Sequence, residues 1–362
     1  MLKPRETIAG LSPYHSPIVS RAGLSLDLNE SMAGCSPRVL KRLRSLSAAD
    51  VSLYPQREVG ERLIADSLRI APEQALLTNG IDEALSLLFA TYLGSNENGP
   101  GDELLFADPT FVMYRMLGQA LGAQVVRVQS GEDLTLPVAG LLARISSRTR
   151  VIAIANPNNP TGLAAARADL LKIAEAAPDA AVLIDEAYFE FCGGTLTCRT
   201  VISDLARHPN LFVARTFSKA YGLAGLRLGV LTGTAEQIDY LRRLSLPFNV
   251  NAVALACLEE ALADRSFVSE HVAQVKRGRE RLMQLFDELG LHYWPSETNF
   301  VLVRVGAKAE AFVDSMQRRG VLVRNSSANP GCDGCVRITV GTPKQMDEAQ
   351  QAIREAVAES QR

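Results

Sequence analysis

The sequence has little of what several large classes of protein require. Aromatic residues make up 6% of its 362 residues, and it contains four histidines and six cysteines. No two histidines stand at the spacing of a zinc-binding H-E-x-x-H motif, and Cys332-Asp333-Gly334-Cys335 lacks a second cysteine pair to complete a zinc site. No apolar run reaches the roughly 18 residues of a membrane-spanning helix. We therefore expect no metal centre and no membrane span.

An excess of charge of either sign is also missing. The 38 lysines and arginines nearly balance the 40 aspartates and glutamates, which gives a formal charge of −2. Without a basic excess, neither a nucleic acid nor a membrane surface is an expected partner. The cysteines are scattered, and no apolar signal segment stands at the start. We therefore expect free thiols, a cytoplasmic location, and small molecules or a second copy as partners.

What is present favours one large globular chain. Hydrophobic residues make up 47% of the sequence, which is enough for a packed core, and neither a repeat nor a linker rich in Gly and Ser divides it. Apolar runs alternate with helical patterns after about residue 75, which predicts βα units and a largely parallel sheet. We predict an α/β fold with an irregular N-terminal arm over 1–35, a large domain over 36–255 and a smaller α+β domain over 256–362.

Polar residues follow three of the apolar runs. Asn156 comes after the run 151–155, Asp185 and Tyr188 follow 181–184, and Lys219 follows 211–214. In a parallel sheet the carboxyl ends of the strands share one edge, and ligands bind beyond that edge. The sequence therefore predicts one site that combines an amide, an acid with a phenol, and a lysine.

An anion site is predicted beside the lysine. Gly80, Ile81 and Asp82 join a short strand to a helix, a position where backbone N–H groups are free to bind a phosphate, although a plain connection fits the same residues. Ser218 and Arg227 flank Lys219 on either side. Two glycines of this stretch, at positions 222 and 225, are expected to let the backbone turn so that Arg227 approaches the phosphate.

These groups are the parts needed to hold pyridoxal 5′-phosphate. Lys219 can form a Schiff base with it, and Asp185 can keep the ring nitrogen protonated because a nearby negative charge favours the cation. Asn156 and Tyr188 can hydrogen-bond the ring's phenolate oxygen. Ser218, Arg227 and the backbone near residue 80 can neutralise its phosphate.

The same residues carry a family resemblance over nearly the whole chain. The motifs that carry it are Leu11-Ser12-Pro13-Tyr14, Asp27-Leu28-Asn29-Glu30, Tyr54-Pro55, Asn79-Gly80-Ile81-Asp82-Glu83, Pro109-Thr110-Phe111, Asn156-Pro157-Asn158-Asn159-Pro160-Thr161-Gly162, Asp185-Glu186-Ala187-Tyr188, Ser218-Lys219, Gly225-Leu226-Arg227 and Arg337-Ile338-Thr339-Val340-Gly341. The chain resembles the fold-type I pyridoxal-phosphate aminotransferases, most of all the histidinol-phosphate aminotransferases. The resemblance implies a large domain with a mostly parallel sheet of the seven-stranded type.

The resemblance also implies roles for individual residues. Lys219 would hold the cofactor covalently and then move a proton at the substrate. Tyr54 would reach the cofactor phosphate of a neighbouring subunit, which implies a homodimer with shared sites. Arg337 would hold the anionic end of the substrate, with Arg324 and Tyr14 beside it. The cofactor-binding residues would be Tyr54, Gly80, Ile81, Asp82, Phe111, which stacks on the ring, Asn156, Asp185, Tyr188, Thr216, Ser218, Lys219 and Arg227; those for substrate would be Tyr14, Asn156, Arg324 and Arg337.

The expected activity is that of a transaminase acting on small molecules. It would exchange an amino group between glutamate or 2-oxoglutarate and a second substrate, foremost histidinol phosphate and imidazole acetol phosphate of histidine biosynthesis. Three alternatives stay open: an aromatic amino acid aminotransferase, a decarboxylase of threonine phosphate, and, more remotely, a regulator that uses this fold as a sensor. Ser31-Met32 and Gln56 depart from the family pattern close to where substrate enters, so they bear on which substrate is used.

Overall fold

The computed structural model describes residues 2–13, 23–94, 101–192 and 199–360. Over these residues the strands are β1 Leu24–Leu26, β2 Ala75–Thr78, β3 Glu103–Asp108, β4 Gln124–Gln129, β5 Thr149–Ala155, β6 Ala181–Asp185, β7 Leu211–Thr216, β8 Gly229–Thr232, β9 His292–Tyr293, β10 Phe300–Arg304, β11 Val321–Asn325 and β12 Cys335–Thr339. The helices are α1 Glu6–Ala9, α2 Pro37–Arg44, α3 Ala48–Ser52, α4 Arg57–Leu68, α5 Ile81–Tyr92, α6 Val112–Leu121, α7 Val138–Arg144, α8 Arg167–Ala176, α9 Ala235–Leu244, α10 Ala252–Ala263, α11 Arg265–Glu288, α12 Ala309–Arg318 and α13 Pro343–Ser360.

The larger sheet has seven described strands in the order β2-β8-β7-β6-β5-β3-β4. All its neighbouring pairs are parallel except those made by β8, which runs antiparallel to both β2 and β7. Consequently the carboxyl ends of the other six strands share one edge, as the apolar runs predict. The sequence does not predict the antiparallel strand β8. Its four residues come directly after the segment 215–228 that contains Lys219, and so short a run does not stand out as a strand.

Helices cover both faces of this sheet, and its inner strands are accordingly mainly apolar. On one face α5, α6 and α9 surround a core that contains Phe89, Phe106 and Tyr114. On the other face α7 and α8 pack over Ile152 and Val182. The prediction of an α/β fold with a mostly parallel seven-stranded sheet is confirmed.

The smaller sheet has the strand order β1-β11-β12-β10-β9 and packs against α11, α12 and α13. Its outer strand β1 comes from the N-terminal segment, which was expected to be irregular, and pairs in parallel with β11 through Leu24 and Val321. Three residues are too few to display a strand's alternating pattern in sequence. The backbones meet closely here, because a Cβ on Gly23 would lie 2.3 Å from the carbonyl oxygen of Gly320.

The division into an arm and two domains stays a prediction, and the packing suggests how to refine it. Helix α10 places Cys257 and Leu258 in a core with Val39 and Ile64 of α2 and α4, whereas α11 belongs to the core under the smaller sheet. We therefore propose that the large domain extends to about Asp264 instead of 255. The strand β1 equally suggests that the small domain includes part of the arm.

Three further findings bear on the expected character of the chain. Cys35, Cys257, Cys332 and Cys335 are free thiols, as expected, but Cys192 is disulfide-bonded, so the expectation of free thiols is wrong there. Within the part of the chain that the structure describes, no helix is long and apolar enough to cross a membrane. The same residues contain no group of three or more His, Cys, Asp or Glu side chains able to hold a metal ion.

Candidate active site

A cavity of about 340 Å³ opens at the carboxyl edge of the larger sheet and is closed from the other side by the smaller sheet. Its walls come from the ends of the parallel strands, from the segment after β1 and from β11 and β12. The predicted site residues that line it are Ile81, Asp82, Phe111, Asp185, Tyr188, Thr216, Ser218, Lys219, Arg227, Arg324 and Arg337. Eleven predicted residues between positions 81 and 337 are thus brought to one place.

Asp185 ends strand β6 at the floor of the cavity. Its carboxylate accepts hydrogen bonds from the Tyr114 hydroxyl at 2.8 Å and from the Ala187 backbone N–H at 3.1 Å. Burial raises the pKa of Asp185 to about 6, although both hydrogen bonds act to lower it. A cation placed against this carboxylate would relieve the cost of its burial and return its pKa towards the ordinary range.

Lys219 reaches into the cavity from the turn after β7. Its Nζ donates to the carbonyl oxygen of Leu28 at 3.2 Å and lies 5.9 Å from the centre of the Tyr188 ring. Burial, followed by the positive charge of Arg337, lowers the pKa of Lys219 from 10.5 to about 8. The neutral amine, which is the form able to act as a nucleophile or base, is therefore accessible close to neutral pH.

Tyr188 and Asn156 flank this lysine and acid. The Tyr188 ring is buried edge-on against Phe300, at 5.2 Å between ring centres, and burial raises the pKa of its hydroxyl. Asn156 is also buried beside the cavity, where its side-chain oxygen accepts from the Ala165 N–H at 2.8 Å. Because that oxygen is turned towards Ala165, Asn156 has its amide N–H groups available for a ligand.

Hydrogen-bond donors converge in another part of the cavity, between the end of β2 and the turn that carries Lys219. The Ser218 hydroxyl accepts from Thr216 Oγ1 at 3.0 Å and from the guanidinium of Arg227 at 3.3 Å, so its own proton is left for a ligand. Helix α5 begins beside it at Ile81, where the backbone N–H groups of the first turn face an anion favourably. Gly80 has φ +76° there, and a Cβ on it would lie 2.5 Å from Arg227.

Of the two glycines expected to let the backbone bring Arg227 towards the phosphate, the structure supports one. Gly222 has φ +68°, and a Cβ on it would lie 1.9 Å from the carbonyl oxygen of Gly34, so glycine is required there. At Gly225 the expectation is wrong, because it sits in a single 3-10 turn where a Cβ would meet nothing. The second left-handed residue of this turn is Arg227 itself, at φ 54°.

Two arginines form the roof of the cavity. Arg337 donates to Asn159 Oδ1 at 2.5 Å and to the carbonyl oxygen of Asp27 at 2.7 Å, and its guanidinium lies 5.2 Å from the centre of the Phe300 ring. Arg324 lies directly opposite Arg337 in the register of β11 and β12, and it lines the same cavity. Two like charges face each other there, an arrangement that an anionic ligand between them would stabilise.

The remaining predicted residues lie elsewhere. Tyr54 stands on the surface with 78% of its area exposed, and it stacks on Phe248 at 4.2 Å between ring centres. Tyr14 lies outside the described residues. The roles predicted for these two tyrosines, and for the residues of the cavity, stay predictions.

Comparison with known proteins shows which family the chain belongs to. The model of the aminotransferase class I and II family matches residues 22–353. The chain belongs to this family. It is 35% identical to histidinol-phosphate aminotransferase 1 of Bacillus cereus over 93% of this chain and 89% of that protein, and 37% identical to histidinol-phosphate aminotransferase of Symbiobacterium thermophilum over 93% and 91%.

A solved structure from the family has the same fold. Histidinol-phosphate aminotransferase from Sinorhizobium meliloti, in complex with pyridoxal 5′-phosphate, superposes with a TM-score of 0.90 at 25% identity and covers 99% of both chains. The predictions of an aminotransferase and of pyridoxal 5′-phosphate as its cofactor are confirmed. The cavity of this aminotransferase fits such a group, because it is lined by a buried acid that a cation would stabilise, by one lysine and by hydrogen-bond donors suited to a phosphate.

Several residues of the site escaped the sequence interpretation. Tyr114 holds the Asp185 carboxylate, but within α6 its sequence is that of an ordinary core aromatic. Ser326 and Asn329 line the cavity from the loop after β11 and were not singled out. Asn29 lies in a motif that carries the family resemblance, and no role is predicted for it, although it is fully buried and contacts Tyr188. The sequence carries no signal for this role, because the burial of Asn29 is visible only in the structure.

Proposed function

We propose that this aminotransferase exchanges an amino group between glutamate or 2-oxoglutarate and the pair histidinol phosphate and imidazole acetol phosphate. The observation that carries the substrate choice is the pair Arg324 and Arg337, which oppose each other across β11 and β12 at the cavity that also holds Lys219. The similarity to relatives named histidinol-phosphate aminotransferase supports the same choice.

The cofactor would be held at the end of the cavity formed by the larger sheet. We propose that Asp185 pairs with its ring nitrogen, that Phe111 stacks on its ring, and that Asn156 and Tyr188 hydrogen-bond its ring oxygen. The phosphate would be bound by backbone N–H groups after Gly80, at Ile81 and Asp82, together with Thr216, Ser218 and Arg227. When bound, pyridoxal 5′-phosphate supplies the electron-accepting ring that stabilises negative charge at the substrate Cα.

Lys219 would link to the cofactor and then act on the proton at the substrate Cα. Its pKa of about 8 suits both tasks, because the neutral amine that burial favours can take up a proton and release it near neutral pH. The carbonyl oxygen of Leu28, 3.2 Å from Nζ, would accept a hydrogen bond from the amine and limit the positions it can adopt.

The arginine pair suits both reactants of the exchange. Arg337 is aimed by Asn159 and by the Asp27 carbonyl, and its guanidinium can bind a carboxylate or a phosphate through two parallel hydrogen bonds. Arg324 adds a second positive charge, which a doubly charged phosphate uses more fully than a single carboxylate does. Asp27 and Glu30 line the same cavity and favour a substrate with a basic ring, such as imidazole, over a phenyl ring.

A homodimer would complete the site. Exposed apolar side chains gather around Tyr54, namely Val51, Leu53, Leu244, Leu246 and Phe248. Monomeric proteins rarely expose such a group of neighbouring apolar residues, so a second copy is its proposed occupant, with Tyr54 directed to the partner's cofactor phosphate. We expect Leu246→Asp to give monomers in sedimentation, while Leu2→Asp, at an exposed position outside this patch, leaves the dimer intact. A monomeric wild-type protein would contradict the proposal.

A cytoplasmic location stays a prediction that fractionation of the source cells would test.

The substrate assignment is tested by a half-reaction screen. The loaded enzyme is mixed in parallel with histidinol phosphate, phenylalanine and threonine phosphate, and the loss of the cofactor's visible absorbance is followed. Histidinol phosphate should react fastest and yield imidazole acetol phosphate. Faster reaction with phenylalanine would identify an aromatic aminotransferase, and release of carbon dioxide from threonine phosphate would identify a decarboxylase.

A further inference from the structure

We infer that Asn29 is a positioning residue that turns the Tyr188 hydroxyl into a hydrogen-bond donor towards the cavity. This inference rests on the proposed function only in that it requires the cofactor to occupy the cavity. It does not depend on which substrate reacts.

Asn29 is held rigidly although it lies in the segment that follows β1. It is 1% exposed and adopts φ 54°, a left-handed conformation that asparagine tolerates better than most residues. Its backbone N–H donates to Thr339 Oγ1 at 3.1 Å, and its carbonyl oxygen accepts from Asn299 Nδ2 at 3.1 Å. Both partners belong to the strands or turns of the smaller sheet, so this sheet fixes where the Asn29 side chain begins.

The network also determines which way the Asn29 amide faces. Thr339 has a single hydroxyl proton, and Oγ1 donates it to Asn29 Oδ1 at 3.2 Å while accepting the backbone N–H of Asn29. The structure accordingly has the amide oxygen facing Thr339. The amide nitrogen then faces Tyr188, where Nδ2 donates to the hydroxyl oxygen at 2.9 Å.

The direction of that bond decides what Tyr188 can do. Since its oxygen already accepts from Asn29, its own proton is free to be donated to another group. The Tyr188 ring packs edge-on against Phe300 and lines the cavity beside Lys219, so this proton is available to the ring oxygen of a cofactor bound there. A hydroxyl that accepts one hydrogen bond is also polarised into a stronger donor for the next.

The residues just before Asn29 connect the same segment to the rest of the site. The carbonyl oxygen of Leu28 accepts from Lys219, and that of Asp27 accepts from Arg337. Three consecutive residues thus contact the phenol, the lysine and an arginine of the cavity. Asn29 is bonded to the smaller sheet through both its backbone and its side chain, so it helps to fix the positions of all three residues.

The test is a pH titration of the visible absorbance of the bound cofactor, made without substrate. Donation by Tyr188 stabilises negative charge on the cofactor's ring oxygen, so losing the donor should raise the pH midpoint of the absorbance change. We expect Asn29→Ala to raise it by about half a pH unit to one pH unit, the equivalent of one neutral hydrogen bond. Tyr188→Phe should raise it at least as much, and Asn29→Ala should add nothing further in the Tyr188→Phe background.

A purely structural asparagine would give a different result. Its loss would lower the melting temperature and leave the midpoint unchanged, or it would shift the midpoint equally with and without the Tyr188 hydroxyl; either result would overturn the inference. Thr339→Val keeps the side-chain shape but releases the amide to turn, and it should shift the midpoint in the same direction, whereas Thr339→Ser should not. Because no substrate is present, a wrong substrate assignment leaves this titration unaffected.

Discussion

The two ends of the cavity are assembled over very different distances in sequence. At the cofactor end, Ser218 bonds to Thr216 two residues away and to Arg227 nine away, and Asp185 bonds to the N–H of Ala187. At the substrate end, Arg337 bonds to Asn159 across 178 residues and to Asp27 across 310. The first end is shaped by turns within one sheet, and the second by the packing of three remote segments.

This difference has a consequence for function. Contacts between near neighbours form whenever the local turn forms, so Asp185, Ser218 and Arg227 keep these contacts even if the smaller sheet shifts. Lys219 keeps its place in the turn but loses its bond to Leu28 if the segment after β1 moves. The roof arginines lose their partners as soon as the smaller sheet or the segment after β1 moves. We therefore expect changes at the cofactor end to affect turnover, and changes at the substrate end to affect substrate binding first.

The largest effect is expected from Lys219→Ala. It removes both the attachment point of the cofactor and the base at the substrate Cα, and proton transfer by a side chain alone contributes about 10²–10⁴-fold to rate. We expect kcat to fall by at least about 10³-fold and borohydride to fix no cofactor to the chain. Exposed Lys172 on α8 offers a matched control, since Lys172→Ala should leave both measurements unchanged. Covalently retained cofactor in Lys219→Ala would refute its role.

Asp185→Asn keeps the shape of the side chain and removes its charge. We expect kcat to fall by about 10²–10³-fold, because a buried ion pair that loses one partner costs about 3–5 kcal/mol. Exposed Asp179, just before β6, provides the control substitution Asp179→Asn. Near-normal turnover would mean that the charge of Asp185 is not needed to keep the cofactor's ring nitrogen protonated.

The same substitution has a pH signature in the cofactor-free protein. The folded pKa of Asp185, about 6, lies above its ordinary value of 3.8, so the native state binds more protons than the unfolded state in between. Its contribution to stability is present below about pH 4 and is lost as the pH rises to about 6, by up to ~3 kcal/mol. We expect Asp185→Asn to remove this loss, as measured by melting temperature against pH.

The contrast between the two ends also explains what could be predicted from sequence. Asp185, Asn156 and Lys219 directly follow long apolar strands, so the general rule for parallel sheets brings them together. The strand β1 has only three residues, and its pairing with β11 depends on a contact between segments about 300 residues apart. Asn29 follows that strand, and no local pattern signals its contact with Tyr188. Tyr114 was missed for another reason, since a helix buries aromatic residues for packing far more often than for a site.

At the substrate end, Arg337→Ala should act mainly on binding. We expect KM for glutamate and for histidinol phosphate to rise by about 10–100-fold, the cost of a charge-assisted pair of hydrogen bonds, with kcat changed less. Arg324→Ala should raise KM for the phosphorylated substrate more than KM for glutamate. Arg304, which stacks on Trp294 in the same sheet and does not line the cavity, serves as the control position. An effect of Arg337→Ala on neither substrate would make this arginine structural.

The smallest effect is expected from Tyr114→Phe, which removes one donor from a carboxylate that keeps a second, from the Ala187 N–H. A hydrogen bond to a charged group contributes about 1.5–3 kcal/mol, and the loaded enzyme retains the cofactor's own ring cation against Asp185. We expect kcat to fall less than about tenfold, with KM for either substrate unchanged. The cofactor-free protein should titrate Asp185 at a higher pH than the wild type, because the lost bond favours the ionised acid. A rise in KM comparable to that of Arg337→Ala would show that the two ends are coupled and would break the contrast between them.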